Sequence, residues 1–198
     1  MDTVSKALLL FVPDLREADR ILQSADPFAL WPVGDLPLLF HWFDFALNHG
    51  YSHVKIIATD RPERIRRALE EATLWQISWE LDSAFRGPPP ENAHWLNTLP
   101  EKPLAENSFP TPWSLLEHWF ELQKFWVERN FPGSRGEAGN LAVGHLCQVH
   151  PSAKLEFPVW LGDSVFIGPE ARVGPHVTIG SGSYVGPQAE IHNAHVAP

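Results

Sequence analysis

From Val143 onward the chain counts in sixes. Nine units follow one another: VGHLCQ, VHPSAK, LEFPVW, LGDSVF, IGPEAR, VGPHVT, IGSGSY, VGPQAE and IHNAHV. The first residue of every unit is aliphatic. The fifth (Cys147, Ala153, Val159, Val165, Ala171, Val177, Ser183, Ala189) is small or β-branched until His195. A helix repeats every 3.6 residues and a strand every two, so neither explains the period. Gly and Pro also recur too often for a helix. A fixed short period marks a solenoid, and hexapeptides build a parallel β-helix. Each unit is then a short strand plus a tight corner. Three units close one triangular turn, so nine units make about three coils. The first and fifth residues point inward, and Gly and Pro at positions two and three suit the corner. This parse puts His195 at an inward fifth position, an odd place for an imidazole.

Residues 1–82 read differently. An apolar run at Ala7–Val12 predicts a strand buried on both faces. Residues 15–24 look helical, and a loop with Pro27, Pro32, Gly34 and Pro37 follows. Leu38–Asn48 predicts a helix, with Gly50 just past its end as a stop signal. Residues 53–59 predict a second strand and 76–81 a third. Between them Asp60 can cap a helix over 62–72, with Pro62 in its first turn. Strands alternating with helices predict a parallel sheet with right-handed crossovers. Residues 83–112 are rich in Pro and Asn and predict a long irregular connection, with Trp95 and Phe109 pinned to something. Thr111 is the expected N-cap of a helix over 113–131. Its apolar face is Leu115, Leu116, Trp119, Leu122, Trp126 and Val127. Residues 132–140 (PGSRGEAGN) break that helix, and 143–198 is the repeat domain.

The formal charge of −9 argues against nucleic acid, whose phosphates need a basic surface, and disfavours an anionic membrane. Cys147 is alone, so no internal disulfide is possible, which fits a reducing compartment. The apolar run near the N-terminus is too short for a signal peptide or a membrane span. A soluble, cytoplasmic protein is expected.

The repeats resemble the left-handed β-helix of hexapeptide-repeat proteins, a fold used both by acyltransferases and by non-catalytic proteins. The first part resembles sugar-phosphate nucleotidyltransferases. The matching residues are Pro32, Val33, Gly34, Pro37, Leu38 and Leu39, then Ile56, Ile57, Pro62, Glu63 and Ile65. The stretch TPWSLLEHW (111–119) resembles the helix that joins the two parts of such enzymes. The combined order is similar to the bifunctional N-acetylglucosamine-1-phosphate uridyltransferase / glucosamine-1-phosphate acetyltransferase group. The fold this implies is α/β, a shortened Rossmann-like parallel sheet with helices, followed by a left-handed parallel β-helix of about three coils.

The resemblance also implies a nucleotide site near Asp14, Arg16, Pro32 and Gly34. Here the sequence departs from it. The family cradles a triphosphate on a Gly-rich loop after the first strand. This chain has VPDLREADR there (12–20), without Gly, with Pro13 and Asp14, and with Arg16 and Arg20 as the cations at hand. The second half of a complete nucleotidyltransferase domain has no room between Leu81 and Thr111. For acyl transfer the family implies a His base and acyl-CoA lying along the coils, often between the β-helices of a trimer. The His candidates are His145, His150, His176, His192 and His195, with His150 and His192 in second positions, at corners. His176, in a fourth position, is expected to face outward. Arg61, Arg64, Arg66 and Arg67 form a basic patch on one helix. No metal-ligand spacing is present.

Two readings stand. One is a nucleotidyltransferase-like protein of sugar-nucleotide metabolism that has lost nucleotidyl transfer. It would be a pseudoenzyme, acting as a binding or assembly module or as the N-terminal part of a larger transferase. The other is a working transferase, either a sugar-phosphate nucleotidyltransferase needing Mg²⁺ or an acyltransferase needing acetyl-CoA. Expected partners are copies of the chain (trimer or dimer) and a sugar phosphate or nucleotide, with no nucleic acid and no membrane.

Overall fold

Ala7–Val12 forms the strand its apolar run predicts (β1), with Leu8 and Leu10 at 1% and 0% exposure. The computed structural model describes residues 6–20, 24–72, 76–102, 109–130 and 142–196. They fall into two units: the first runs to Pro32 and resumes over Leu36–Leu115, and the second takes Val33–Asp35 and everything from Leu116.

Pro32–Val33 (β2) and Leu36–Pro37 (β3) flank Gly34, with Val33–Asp35 counted in the second unit. Leu38–Asn48 is α1. Gly50 lies just beyond it at φ +71; its N–H donates to Leu47 O and that of Tyr51 to Ala46 O, closing a Schellman motif. His53–Ala58 (β4), Pro62–Glu71 (α2), Ser78–Asp82 (β5) and His94–Trp95 (β6) follow. The sheet order is β5-β4-β1-β6, and its pairs are parallel, as alternating strands and helices predict. Its core includes Leu38, Leu39, Phe43, Val54, Ile56 and Ile65, all nearly inaccessible.

Three expectations change here. Residues 16–20 are turns, not the helix expected over 15–24; 21–23 lie outside the described residues. The N-cap of α2 is Arg61 at φ +43, with no side-chain cap, because the Asp60 carboxylate bonds the Arg61 guanidinium instead. The connection at 83–112 contributes a strand. β6 pairs with β1, and Trp95 meets Phe11 edge-on at 5.0 Å.

Pro112–Asn130 is α3; residues 112–115 go with the first unit and 116–130 with the second. Thr111 and Ser114 cap its start reciprocally. Ser114 N–H donates to Thr111 Oγ1 and Thr111 N–H to Ser114 Oγ, both at 3.2 Å.

Among the described residues, the repeat region of the second unit forms ten short strands: Ala142–Val143 (β7), Gln148–Val149 (β8), Lys154–Leu155 (β9), Val159–Leu161 (β10), Phe166–Ile167 (β11), Arg172–Val173 (β12), Val177–Ile179 (β13), Tyr184–Val185 (β14), Glu190–Ile191 (β15) and Ala194–Val196 (β16). They stack as three parallel sheets, β16-β13-β10-β7, β14-β11-β8 and β15-β12-β9, which is a three-sided parallel β-helix. First and fifth residues fill its interior: Val159, Leu161, Val165, Ile167, Ala171, Val173, Val177 and Ile179 are all at 0–1% exposure. The corners differ from expectation. Positive φ falls on the fourth position, at Leu146, Ser164, Glu170, His176 and Gln188. Gly at position two serves close stacking instead. A Cβ on Gly162 would lie 2.7 Å from the backbone N of Ser181, one coil on.

The repeat also changes count once. Coils pair at a spacing of eighteen until the last, where Val177 aligns with Ala194, Thr178 with His195 and Ile179 with Val196, a spacing of seventeen. Asn193 takes the corner at φ +46. The six-residue parse therefore misplaces His195. Ala194 holds the inward fifth position and His195 the outward sixth, stacked in one column with Trp160 and Thr178.

Candidate functional site

The carboxyl ends of β1 and β4 are where an open parallel sheet usually binds a ligand. The charged groups there are committed to one another. Arg16 Nε donates to Asp14 Oδ1 at 2.9 Å, and its Nη2 contacts the second carboxylate oxygen. That hydrogen bond holds the Asp14 carboxyl below the usual range. Arg61 donates to Asp60 (2.7 Å), Asp19 (2.5 Å) and Ser24 O (2.7 Å). Burial works against its charge, yet these hydrogen bonds keep it firmly protonated. Asp60 is 0% exposed. Arg20 is exposed on the turn, and Pro32 is exposed on β2. Gly34 belongs to the second unit, where its N–H donates to Gln123 Oε1 at 2.9 Å. Of the helical arginines, Arg64 lies 3.8 Å from Asp26 and Arg67 2.8 Å from Glu71. The residues expected at a nucleotide site are thus not gathered around an open cradle. Mg²⁺ would need free carboxylates, and Asp14, Asp19 and Asp60 are taken by arginine. Among the described residues no cluster of His, Cys, Asp or Glu is placed to hold a metal.

The second unit has a more open arrangement. Helix α3 lies against the face made by β10, β13 and β16. Trp126 meets Trp160 edge-on at 5.6 Å, and Trp119 meets His195 edge-on at 5.1 Å. Thr178 Oγ1 is hydrogen-bonded to His195 Nδ1 at 2.6 Å. The His195 Nε2 is buried with no hydrogen-bond partner among the described residues, and burial lowers the imidazole pKa to about 4. A neutral ring of this kind packs rather than titrates at neutral pH. His192 is exposed and its Nδ1 contacts the Gly174 carbonyl.

His176 is the candidate that the fold equips. Its fourth-position corner turns it toward α3, where Nε2 meets Glu128 Oε1 at 2.9 Å. Beside this pair is a cavity of about 200 Å³ lined by Phe120, Glu121 and Lys124 of α3 and by His176, Asn193 and Ala194 of the solenoid. A carboxylate on one imidazole nitrogen fixes the ring and leaves the other nitrogen to handle a proton. The repeats alone hid this site. His176 was visible as an outward corner residue, but nothing in its period says that Glu128, forty-eight residues earlier, lies against it.

The other two faces carry distinct outward columns. Gln148, Phe166 and Tyr184 line one, with the last two rings stacked at 5.0 Å. Lys154, Arg172 and Glu190 line the other, with Arg172 3.8 Å from Glu190.

Residues 158–193 match a known family. The description of that family is bacterial transferase hexapeptide (six repeats). The match supports the left-handed β-helix expected from the repeats, and hexapeptide-repeat proteins of this kind typically form oligomers. It does not extend to the first unit, so the likeness to nucleotidyltransferases rests on sequence resemblance alone. No curated protein matches the chain. Among the described residues no helix is long and apolar enough to cross a membrane.

Proposed function

We propose that this chain is a hexapeptide-type transferase whose chemistry is acyl transfer in the groove between α3 and the β-helix. His176 is the general base and Glu128 the residue that positions it. The observation carrying this reading is the 2.9 Å contact between His176 Nε2 and Glu128 at the edge of a cavity, in repeats that match a transferase family. An acyl thioester such as acetyl-CoA is the donor this reading requires. The acceptor loses its proton to His176 as it attacks the thioester carbonyl. Nucleotidyl transfer has been lost in this reading, which is supported by the pairing of Arg16 with Asp14 and of Arg61 with Asp19 and Asp60.

The test is thiol release from acetyl-CoA in the presence of a panel of small amines and alcohols. His176→Ala should lower kcat/KM by about 10²-fold or more. Glu128→Gln should lower kcat with little change in KM, because Glu128 acts through His176 and not on substrate. A fully active His176→Ala protein overturns the assignment. Mg²⁺-dependent pyrophosphate release from a nucleoside triphosphate and a sugar phosphate, abolished by removing Arg16 or Arg20, overturns the loss of nucleotidyl transfer.

A second reading, an assembly module, draws support from the uncovered Phe166 and Tyr184 column beside Leu146, which is 84% exposed. It expects an oligomer that Tyr184→Lys weakens, and a monomeric mass in solution at micromolar concentration contradicts it.

A further inference from the structure

The cavity beside His176 holds three polar side chains that make no polar contact among the described residues. Among the described residues the Glu121 carboxylate, the Lys124 ammonium and the Asn193 amide have no hydrogen-bond or ion-pair partner. Their neighbours are committed: Gln123 accepts from Gly34 and Glu128 holds His176. Glu121 and Lys124 are three residues apart on α3, a spacing that places opposite charges side by side and ordinarily lets them pair. Here they line one cavity unpaired. Phe120 and Ala194 add an apolar wall. At roughly 30 Å³ per water, a volume of about 200 Å³ displaces about half a dozen waters. A free amino acid fits that space whole, and the thioester end of a coenzyme can reach it from the open side.

We infer that this groove binds a small zwitterion, a free α-amino acid with an apolar side chain. Its carboxylate meets Lys124 and the Asn193 amide, its ammonium meets Glu121, and its side chain lies along Phe120 and Ala194. The inference rests on the acyl-transfer reading for its chemical consequence, which is that the amino acid is the acceptor. The ammonium first releases one proton to bulk water; the free α-amine then attacks the thioester carbonyl, forming a C–N bond as the C–S bond breaks. The second N–H proton passes to His176 and then to the departing thiolate. Charge complementarity at both ends of the acceptor is what selects it over a simple amine.

The binding claim is tested without catalysis. The full chain is titrated calorimetrically with L-leucine, with 3-methylbutylamine (the same skeleton without carboxylate) and with N-acetyl-L-leucine (no ammonium). L-leucine should bind, and each analogue should bind about tenfold more weakly or worse. Lys124→Gln should erase the preference for leucine over the amine. Glu121→Gln should erase the preference over the N-acetyl compound. Both changes are on exposed positions of α3, and circular dichroism checks that the fold is kept. The inference is overturned if leucine shows no binding up to about 10 mM, if the three ligands bind alike, or if the variants keep the preferences. Leucine binding without thiol release from acetyl-CoA would uphold this site and sink the acyl-transfer reading. Thiol release with other acceptors and no leucine binding would do the reverse.

Discussion

Acid should loosen the contact between α3 and the solenoid through one residue, His195. Its imidazole is neutral when folded, with Nε2 buried and unpartnered and the ring against Trp119. Burial lowers its pKa from 6.5 to about 4. The folded value lies below the unfolded one, so protons bind the unfolded chain first. Stability from this residue is complete above pH 6.5, falls as pH drops toward 4, and changes no further below that. A shift of that size is worth at most about 3.4 kcal/mol at 1.36 kcal/mol per unit. His195 is only partly buried, so water screens the charge and the figure falls to roughly 1–2 kcal/mol. The assay is urea unfolding of the wild type and of His195→Gln at several pH values between 7.5 and 4, followed by circular dichroism. The Gln variant cannot titrate there, and every other ionisable group is common to both proteins and cancels in the difference. The wild type should lose about 1–2 kcal/mol more than the variant over this range. Equal losses, or a wild type that gains on acidification relative to the variant, would refute the reasoning.

Further expectations follow from the same contacts. Arg61→Ala removes the hydrogen-bonding partner of Asp60, which is buried, and of Asp19, which is nearly so, leaving Asp60 only the 4.0 Å contact with Arg16, and should cost about 3–5 kcal/mol by chemical unfolding. Arg16→Ala, on the surface, should stay within about 1 kcal/mol; equal effects would mean that burial does not set the value of these pairs. Gly34→Ala places a Cβ 2.4 Å from the Trp126 ring at φ +64, and should cost roughly 2–5 kcal/mol. An unchanged unfolding midpoint would show that Trp126 can move aside.

Much of the fold was legible because its signals are local. Aliphatic residues every six positions announce the solenoid, Gly50 marks the end of α1, and Thr111 marks the start of α3. The misses have non-local causes. Strand β6 is two residues long, too short to carry a pattern, and exists because His94 and Trp95 find the free edge of β1. Asp60 has the chemistry of a cap, but Arg61 competes for its carboxylate. His195 was assigned inward because a period read from the first eight units was extended through the ninth, where one residue is missing. The His176 groove depends on which face of the solenoid α3 covers, and no spacing in either element encodes that choice. The basic patch on α2 looked collective, yet Arg61, Arg64 and Arg67 each have an acidic neighbour of their own.

The short final coil behaves like a reading frame slipped by one. Upstream, each added coil reproduces the one below it, so inside and outside are fixed by counting. After Asn193 the phase is advanced, and the same letters mean different things: a histidine written in an interior slot is displayed on the wall that faces α3. Holding the count at eighteen with the present residues would turn His195 into the apolar shaft, move Ala194 to the corner and part His195 from Trp119; one residue inserted between His192 and Asn193 would restore that count and leave Ala194 inward and His195 on the wall. The seating of α3 on this wall is therefore set as much by a missing residue as by any that are present.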